Sequence, residues 1–334
     1  MFNPLRNSSR APFSPETIQA YWTPLAWERP TPPPTGAGDY LRHYGLNLVD
    51  TGEAEHQDFG YFTANEQLIC AQVFWPAEPV GTTLVCHGYL DHAGLYTHLI
   101  RDLLALGQVV VIYDLPGHGL STGREVAIDS FQEYLTVLRT CFMHMKGHLP
   151  RPWHLLAQST GGAVAMDWML YPREGDPELM AVVLLAPLVR PAGWPWVRLA
   201  HTLVSPFRDY VKRIFTSNSS DPDFLDFLQN RDPLQSWRLS SHWVGALREW
   251  VQRFLDAEPC GYAPVVLQGD ADDTVDWTFN LPAIRARFRQ AEIHMIPGAG
   301  HHLANETPEH RAVIRRCLRD RLGAHPAGAS SPRA

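Results

Sequence analysis

Three side-chain types that together cleave acyl bonds follow one another along this chain: a serine, a cluster of aspartates, then a pair of histidines. Ser159 lies in A-Q-S-T-G-G at 157–162. A serine hydroxyl attacks a carbonyl only when a base takes its proton, and that base needs an acid to orient its ring. Downstream, G-D-A-D-D-T-V-D at 269–276 offers Asp270, Asp272, Asp273 and Asp276, and P-G-A-G-H-H-L at 297–303 offers His301 and His302. Such a set can perform nucleophilic acyl transfer. A serine beside glycines also opens ordinary helices, so the reading depends on the elements that carry these segments.

Those elements fit. Residues 153–157 form a short apolar run bounded by Pro150 and Pro152, the pattern of a buried strand, and A-V-A-M-D-W-M-L after Gly162 has helical apolar spacing. A serine at that tight strand-to-helix turn is a nucleophile elbow, where a strained backbone lifts the hydroxyl out of the sheet and neighbours must be small. Ala157 stands where the G-x-S-x-G pattern has its first glycine, and it is small enough. The turn also leaves the amide of Thr160 at a helix N-terminus, where it can donate to an oxyanion.

Further strands are expected at 82–86, 109–113, 181–185, 265–268 and 291–296, a hairpin at 59–63 and 68–75, and helices at 96–106 and 130–148. This alternation predicts an α/β protein with a mostly parallel sheet covered by helices on both faces. Ligands of such sheets bind at the carboxyl ends of the strands, where the aspartate cluster and the histidine pair both fall. Residues 1–55 carry proline clusters and one short helical candidate at 15–22, and read as an extended, partly mobile arm. The core would then run from 56 to 187 and resume from 260 to 323. Between these parts, residues 188–259 show no clear strand and read as several short helices forming a tryptophan-rich cap after the sixth strand. A helix from Pro308 to about Leu322, with Thr307 as N-cap, closes the core, and residues 324–334 read as a disordered tail.

At 334 residues with 45% hydrophobic content, the chain can bury a large core. A formal charge of -7 without a dense Lys/Arg run argues against nucleic acid and against an anionic membrane surface as main partners. Its five cysteines are odd in number and scattered, as expected of reduced packing residues in the cytoplasm. No apolar stretch is long enough to span a bilayer, and none of the sixteen histidines falls in a metal-ligating spacing.

The chain resembles the α/β-hydrolases, specifically the monoglyceride lipase, bacterial lysophospholipase and S33-type hydrolase group. The resemblance rests on H-G-Y-L-D-H-A-G (87–94), D-L-P-G-H-G-L-S (114–121), A-Q-S-T-G-G (157–162), N-R-D-P-L (230–234), G-D-A-D (269–272) and G-A-G-H (298–301). It implies Ser159 as nucleophile, Asp272 as acid and His301 as base. The amides of Tyr89 and Thr160 form the oxyanion hole, and His87, Gly88 and Gly161 support it. The implied reaction is hydrolysis of single-chain acyl esters through an acyl-enzyme, without cofactor or metal. The same residues serve peptidase, thioesterase and acyltransferase chemistry, and a pocket without turnover would make a binding module. Dehalogenases and epoxide hydrolases of this type carry an aspartate at the elbow. Tyr89 stands where close relatives carry a small residue, so its ring is expected to narrow the acyl site. Asp114 and His118 are expected to fix their turn, and the aromatic and basic stretch 194–215 to contact lipid surfaces.

Overall fold

A computed structural model describes residues 11–323. In chain order the elements are α1 (Pro15–Tyr21), α2 (Ala37–Tyr44), β1 (His56–Ala64), β2 (Gln67–Trp75), β3 (Gly81–Cys86), α3 (Thr97–Leu104), β4 (Gln108–Tyr113), α4 (Phe131–Met145), β5 (Trp153–Gln158), α5 (Thr160–Leu170), β6 (Ala181–Leu185) and α6 (Trp194–Val204). They continue with β7 (Tyr210–Lys212), α7 (Pro222–Asp226), β8 (Arg238–Ser240), α8 (Ser241–Asp256), β9 (Val265–Gly269), α9 (Trp277–Arg287), β10 (Glu292–Ile296) and α10 (Pro308–Leu322).

Among the described residues, eight strands form one sheet in the order β1-β2-β4-β3-β5-β6-β9-β10. β1 and β2 pair antiparallel and are closed by Asn65 and Glu66, both at positive φ (49° and 61°), the geometry of a two-residue hairpin turn. β2 pairs antiparallel with β4, and the remaining pairs are parallel. β3, β4 and β5 are buried along their whole length, which explains why they read as unbroken apolar runs. The apolar stripe of α4 covers one face, its start fixed by a reciprocal cap between Ser130 and Glu133. At α10, Thr307 occupies the N-cap position but its side chain makes no capping bond, and Pro308 fills the first helical position.

Two segments differ from the sequence reading. The stretch before β1 is not an extended arm with one helix. It also contains α2, held between Gly36 and Gly45 in left-handed conformations, and it buries Ile18, Tyr40, Tyr44, Leu46 and Leu48. Its backbone runs along β1 through Leu25 N–H to Tyr61 O and Phe59 N–H to Thr31 O. An eight-residue helix owes its stability to packing, so local pattern understates it. Residues 188–259, expected without strands, hold the short antiparallel pair β7–β8, and α8 runs for 16 residues. Three-residue strands are too short to show alternation. The expected disordered tail lies outside the described residues.

A buried polar cluster ties these parts together. Asp232, from the N-R-D-P-L segment, accepts from Tyr44 Oη at 2.7 Å and from the Leu234 amide at 3.0 Å, and lies 3.1 Å from His92 Nε2. Burial works to raise the Asp232 pKa, but His92 and these donors hold it below its ordinary value. Removing one member of such a buried pair strands the other. Asp232→Ala is therefore expected to lower unfolding free energy by about 3–5 kcal/mol in urea titration; a change under about 1 kcal/mol would show that the cluster contributes little.

Candidate active site

Ser159 sits at the junction of β5 and α5 with φ 51° and ψ -111°, a strained conformation for a residue with a side chain. Two contacts hold it there: its N–H donates to Leu185 O, and its carbonyl accepts from the Leu188 amide. α5 can begin so close to the sheet because Gly161 has no side chain; a Cβ there would lie 2.3 Å from the Cys86 carbonyl oxygen. The elbow thus takes its shape from the end of β3 as much as from its own turn.

The other two groups hang from the next strand ends. After β9, Asp272 Oδ1 accepts from the amides of Thr274 and Val275 at 2.8 and 3.1 Å. Its Oδ2 accepts from Gln268 Nε2 at 2.9 Å and faces His301 Nδ1 at 2.8 Å. His301 Nε2 lies 2.9 Å from Ser159 Oγ. With Nδ1 donating to the carboxylate, Nε2 is left to accept the serine proton. All three side chains are buried. Burial alone would push the His301 imidazole down, but the Asp272 charge outweighs it and holds the pKa above its ordinary 6.5. Burial likewise works to raise Asp272, while His301 and the donors on its oxygens hold it below 3.8.

The competing residues are occupied elsewhere. Asp270 is exposed and accepts from the Gly298 amide, Asp273 is exposed, and Asp276 caps α9 and pairs with Arg190 at 2.7 Å. His302 is buried, packs on Phe224 and Tyr96, and lies 3.2 Å from Asp91 Oδ2. Geometry therefore separates Asp272 from three neighbours, and His301 from one, that sequence left as alternatives.

The loop after β3 approaches Ser159 closely enough that a Cβ on Gly88 would lie 3.2 Å from the serine Cβ. His87 shapes this loop: its Nδ1 donates to Gly88 O at 2.7 Å and its Nε2 accepts from the Leu115 amide at 2.8 Å. Burial, the main cause, takes its pKa down to about 3, so the ring is neutral in this role. Asp114 accepts from the Ala93 and Leu120 amides, and His118 Nδ1 donates to Pro116 O, so both hold turns as expected. Among the described residues the backbone N–H groups of Tyr89 and Thr160 make no hydrogen bond, and both residues line the Ser159 cavity.

Tyr89 lines that cavity and is also anchored outside it. Its ring stacks on Trp243 at 3.8 Å, its hydroxyl donates to Val126 O at 2.8 Å, and it accepts from the Ser240 amide at 3.1 Å. The residue that carries the loop amide is thereby fastened to the start of α8.

The cavity holding Ser159 and His301 has a volume of about 290 Å³ and is walled by Leu188, Val197, Leu239, Trp243 and Val275. Larger grooves of about 650 and 730 Å³ lie elsewhere and contain neither Ser159 nor His301. Sequence reasoning missed Gln268, whose polar side chain at the end of a buried strand was the available signal. It also missed Asn218, whose carbonyl accepts from the amides of His301 and His302 at 3.0 and 2.7 Å. A backbone acceptor leaves no trace in residue type. Among the described residues, no group of His, Cys, Asp and Glu could hold a metal, and no helix is long and apolar enough to cross a membrane.

A family model described as "Serine aminopeptidase, S33" matches residues 77–308. The chain is 26% identical over 286 residues to a monoacylglycerol lipase of Mycolicibacterium smegmatis, covering 80% of this chain and 96% of that protein. It is 28% identical over 270 residues to mouse monoglyceride lipase, covering 76% and 86%. In structure it is similar to a soluble variant of monoglyceride lipase from Saccharomyces cerevisiae in complex with a substrate analog, with TM-score 0.68, 16% identity, and coverage of 79% of this chain and 94% of that one.

Proposed function

The chain belongs to the S33 serine aminopeptidase family and is a monoglyceride lipase-like α/β-hydrolase, and on that premise we propose that it cleaves single-chain acyl esters through an acyl-enzyme on Ser159. The observation that carries this reading is the hydrogen-bonded series from Ser159 Oγ through His301 to Asp272, at 2.9 and 2.8 Å. In the first step His301 Nε2 takes the hydroxyl proton as Oγ attacks the ester carbonyl. The carbonyl oxygen becomes negative and is held by the amides of Tyr89 and Thr160. His301 then gives its proton to the departing alcohol, leaving an ester on Ser159. Water, deprotonated by the same imidazole, attacks that ester and releases the acid. Throughout, Asp272 keeps the ring oriented and stabilises its charged form. A monoacylglycerol, a lysophospholipid or a short to medium chain ester fits, because the relatives include monoglyceride lipases and the cavity walls are mostly apolar. The free cysteines, three of them buried, fit a reducing compartment such as the cytoplasm.

The test is hydrolysis of p-nitrophenyl esters of rising acyl length by wild type and Ser159→Ala in parallel. The family description also names aminopeptidases. Turnover of an aminoacyl p-nitroanilide with no ester turnover would overturn the ester assignment while keeping the nucleophile.

The cap carries an exposed apolar set, with Trp196, Phe207 and Ile214 75%, 85% and 83% exposed. The exposed Arg198, Arg208 and Lys212 lie among them in sequence. The chain as a whole carries a net charge of -7, but this local combination of apolar and basic groups suits the interface of an anionic bilayer. The protein is expected to co-sediment with phosphatidylserine-containing vesicles and to lose at least about tenfold in binding when Phe207 and Ile214 are both replaced by Ser. Equal binding by the double variant would remove the cap from this role.

A further inference from the structure

Arg213, which follows β7, is a cation in the wall of the cavity that contains Ser159 and His301. Its guanidinium lies over the Phe215 ring, 4.3 Å from the centroid. Only Nη1 has acceptors among the described residues: the Gln235 side-chain oxygen and, at 3.4 Å, Ser236 O. No carboxylate among the described residues stands within 4.0 Å of it, the distance of an ion pair. The two acids whose charge reaches it, Asp91 and Asp232, are engaged elsewhere. Asp91 accepts from Tyr96 Oη and the Gly88 amide and faces His302. Asp232 is taken by Tyr44 and His92. Burial lowers the Arg213 pKa to about 10, which leaves it charged at neutral pH.

Arg213 is half-buried, and its Nε and Nη2 have no protein acceptor among the described residues, so a negative group entering the cavity can take them. The guanidinium is a rigid planar fork, and its natural complement is a carboxylate or phosphate taken through two parallel N–H bonds. Nε and Nη2 remain available in that fork, on a side chain that borders the space where an ester must lie to reach Ser159. A purely structural role, tying β7 to the segment before β8, uses Nη1 alone, whereas anion binding would use the Nε and Nη2 edge.

The geometry points to Arg213 as the binding residue for an anionic group on the ester substrate, so that the preferred substrates are acyl esters with a charged second end. This rests on the ester-hydrolase reading above. A cavity of about 290 Å³ is at the small end for ligand sites, which keeps the anion within a few bonds of the scissile ester. The anion has two chemical sources: a carboxylate at the far end of a short acyl chain, or a phosphate on the alcohol.

Two matched pairs distinguish them. The acyl pair is mono-4-nitrophenyl glutarate against 4-nitrophenyl valerate, and the alcohol pair is 1-butyrylglycerol 3-phosphate against 1-butyrylglycerol. For one pair, the ratio of anionic to neutral kcat/KM is expected to fall about 10- to 100-fold in Arg213→Met, mostly through KM, with Arg213→Lys in between. The responding pair identifies the source. Ratios unchanged in both pairs would overturn the proposal, whatever the absolute rates. Calorimetric binding of the same anionic esters to Ser159→Ala and to Ser159→Ala/Arg213→Met separates the two readings. If wild type turns over none of the esters, the hydrolase reading fails. A tenfold loss of binding on adding Arg213→Met would still support anion recognition, and equal binding would end it.

Discussion

Ser159→Ala is expected to reduce ester hydrolysis by about 10⁵- to 10⁶-fold in kcat while leaving a folded protein. The substitution removes one oxygen atom from a buried position and leaves the elbow intact, because alanine accepts φ 51° no worse than serine does. What disappears is the only bond that makes the two-step route possible. The residual rate comes from the cavity and the two loop amides acting on a directly attacking water, which is why the loss stops short of complete. The measurement is p-nitrophenyl ester hydrolysis at matched active-site concentration, with a fluorophosphonate as a second readout. Wild type should be labelled in one-to-one stoichiometry and the variant not at all. A variant within about a hundredfold of wild type would mean that Ser159 is not the nucleophile. A folded wild type that resists the fluorophosphonate would favour a ligand-binding role for the pocket.

Which parts of this site could be read from residues alone follows from how local each determinant is. Ser159 was legible because its strand, its turn and its helix are contiguous, and the small residues required there are visible in A-Q-S-T-G-G. His301 and the aspartate cluster were legible because each follows directly on an apolar strand. Choosing Asp272 over Asp270, Asp273 and Asp276 needed the resemblance, and the structure supplies the physical reason: only its carboxylate is collected by Gln268, Val275 and His301 together. Long-range features stayed hidden. Asp232 reads as one charged residue in a cap loop, yet it is buried against partners 188 and 140 residues away in sequence. Tyr89 was expected to act through its amide and the size of its ring; the anchoring of its hydroxyl by Val126 and Ser240 left no sign in the sequence. The helix α2 was missed because its apolar residues have meaning only against distant partners: Tyr40 packs on Phe59 of β1, and Tyr44 on His92 and on Phe227 of the cap.

Asp272→Asn is expected to cost about 10⁴-fold in kcat/KM at the pH optimum and to shift the acid limb of the profile downward. The asparagine side chain nearly reproduces the shape of aspartate but brings an NH₂ group that can face Nδ1. That favours the tautomer with the proton on Nε2, where His301 can no longer accept from Ser159. The shift follows from the balance of causes at His301. Activity requires the neutral imidazole, so wild-type kcat/KM rises with pH through the His301 pKa, which Asp272 holds above 6.5 against burial. Without the carboxylate, burial is left unopposed, the neutral form persists to lower pH, and the limb moves below that of wild type. Stability follows the same pair with the signs worked out separately. His301, raised in the fold, contributes fully below 6.5 and loses that contribution as pH rises through its folded value. Asp272, lowered in the fold, contributes fully above 3.8 and loses it as pH falls through its folded value. The stability gap between wild type and Asp272→Asn should therefore be widest between about pH 4 and 6.5 in urea titrations. An acid limb unmoved in Asp272→Asn, with activity lowered less than about tenfold, would take the orienting role away from Asp272 and pass it to another carboxylate.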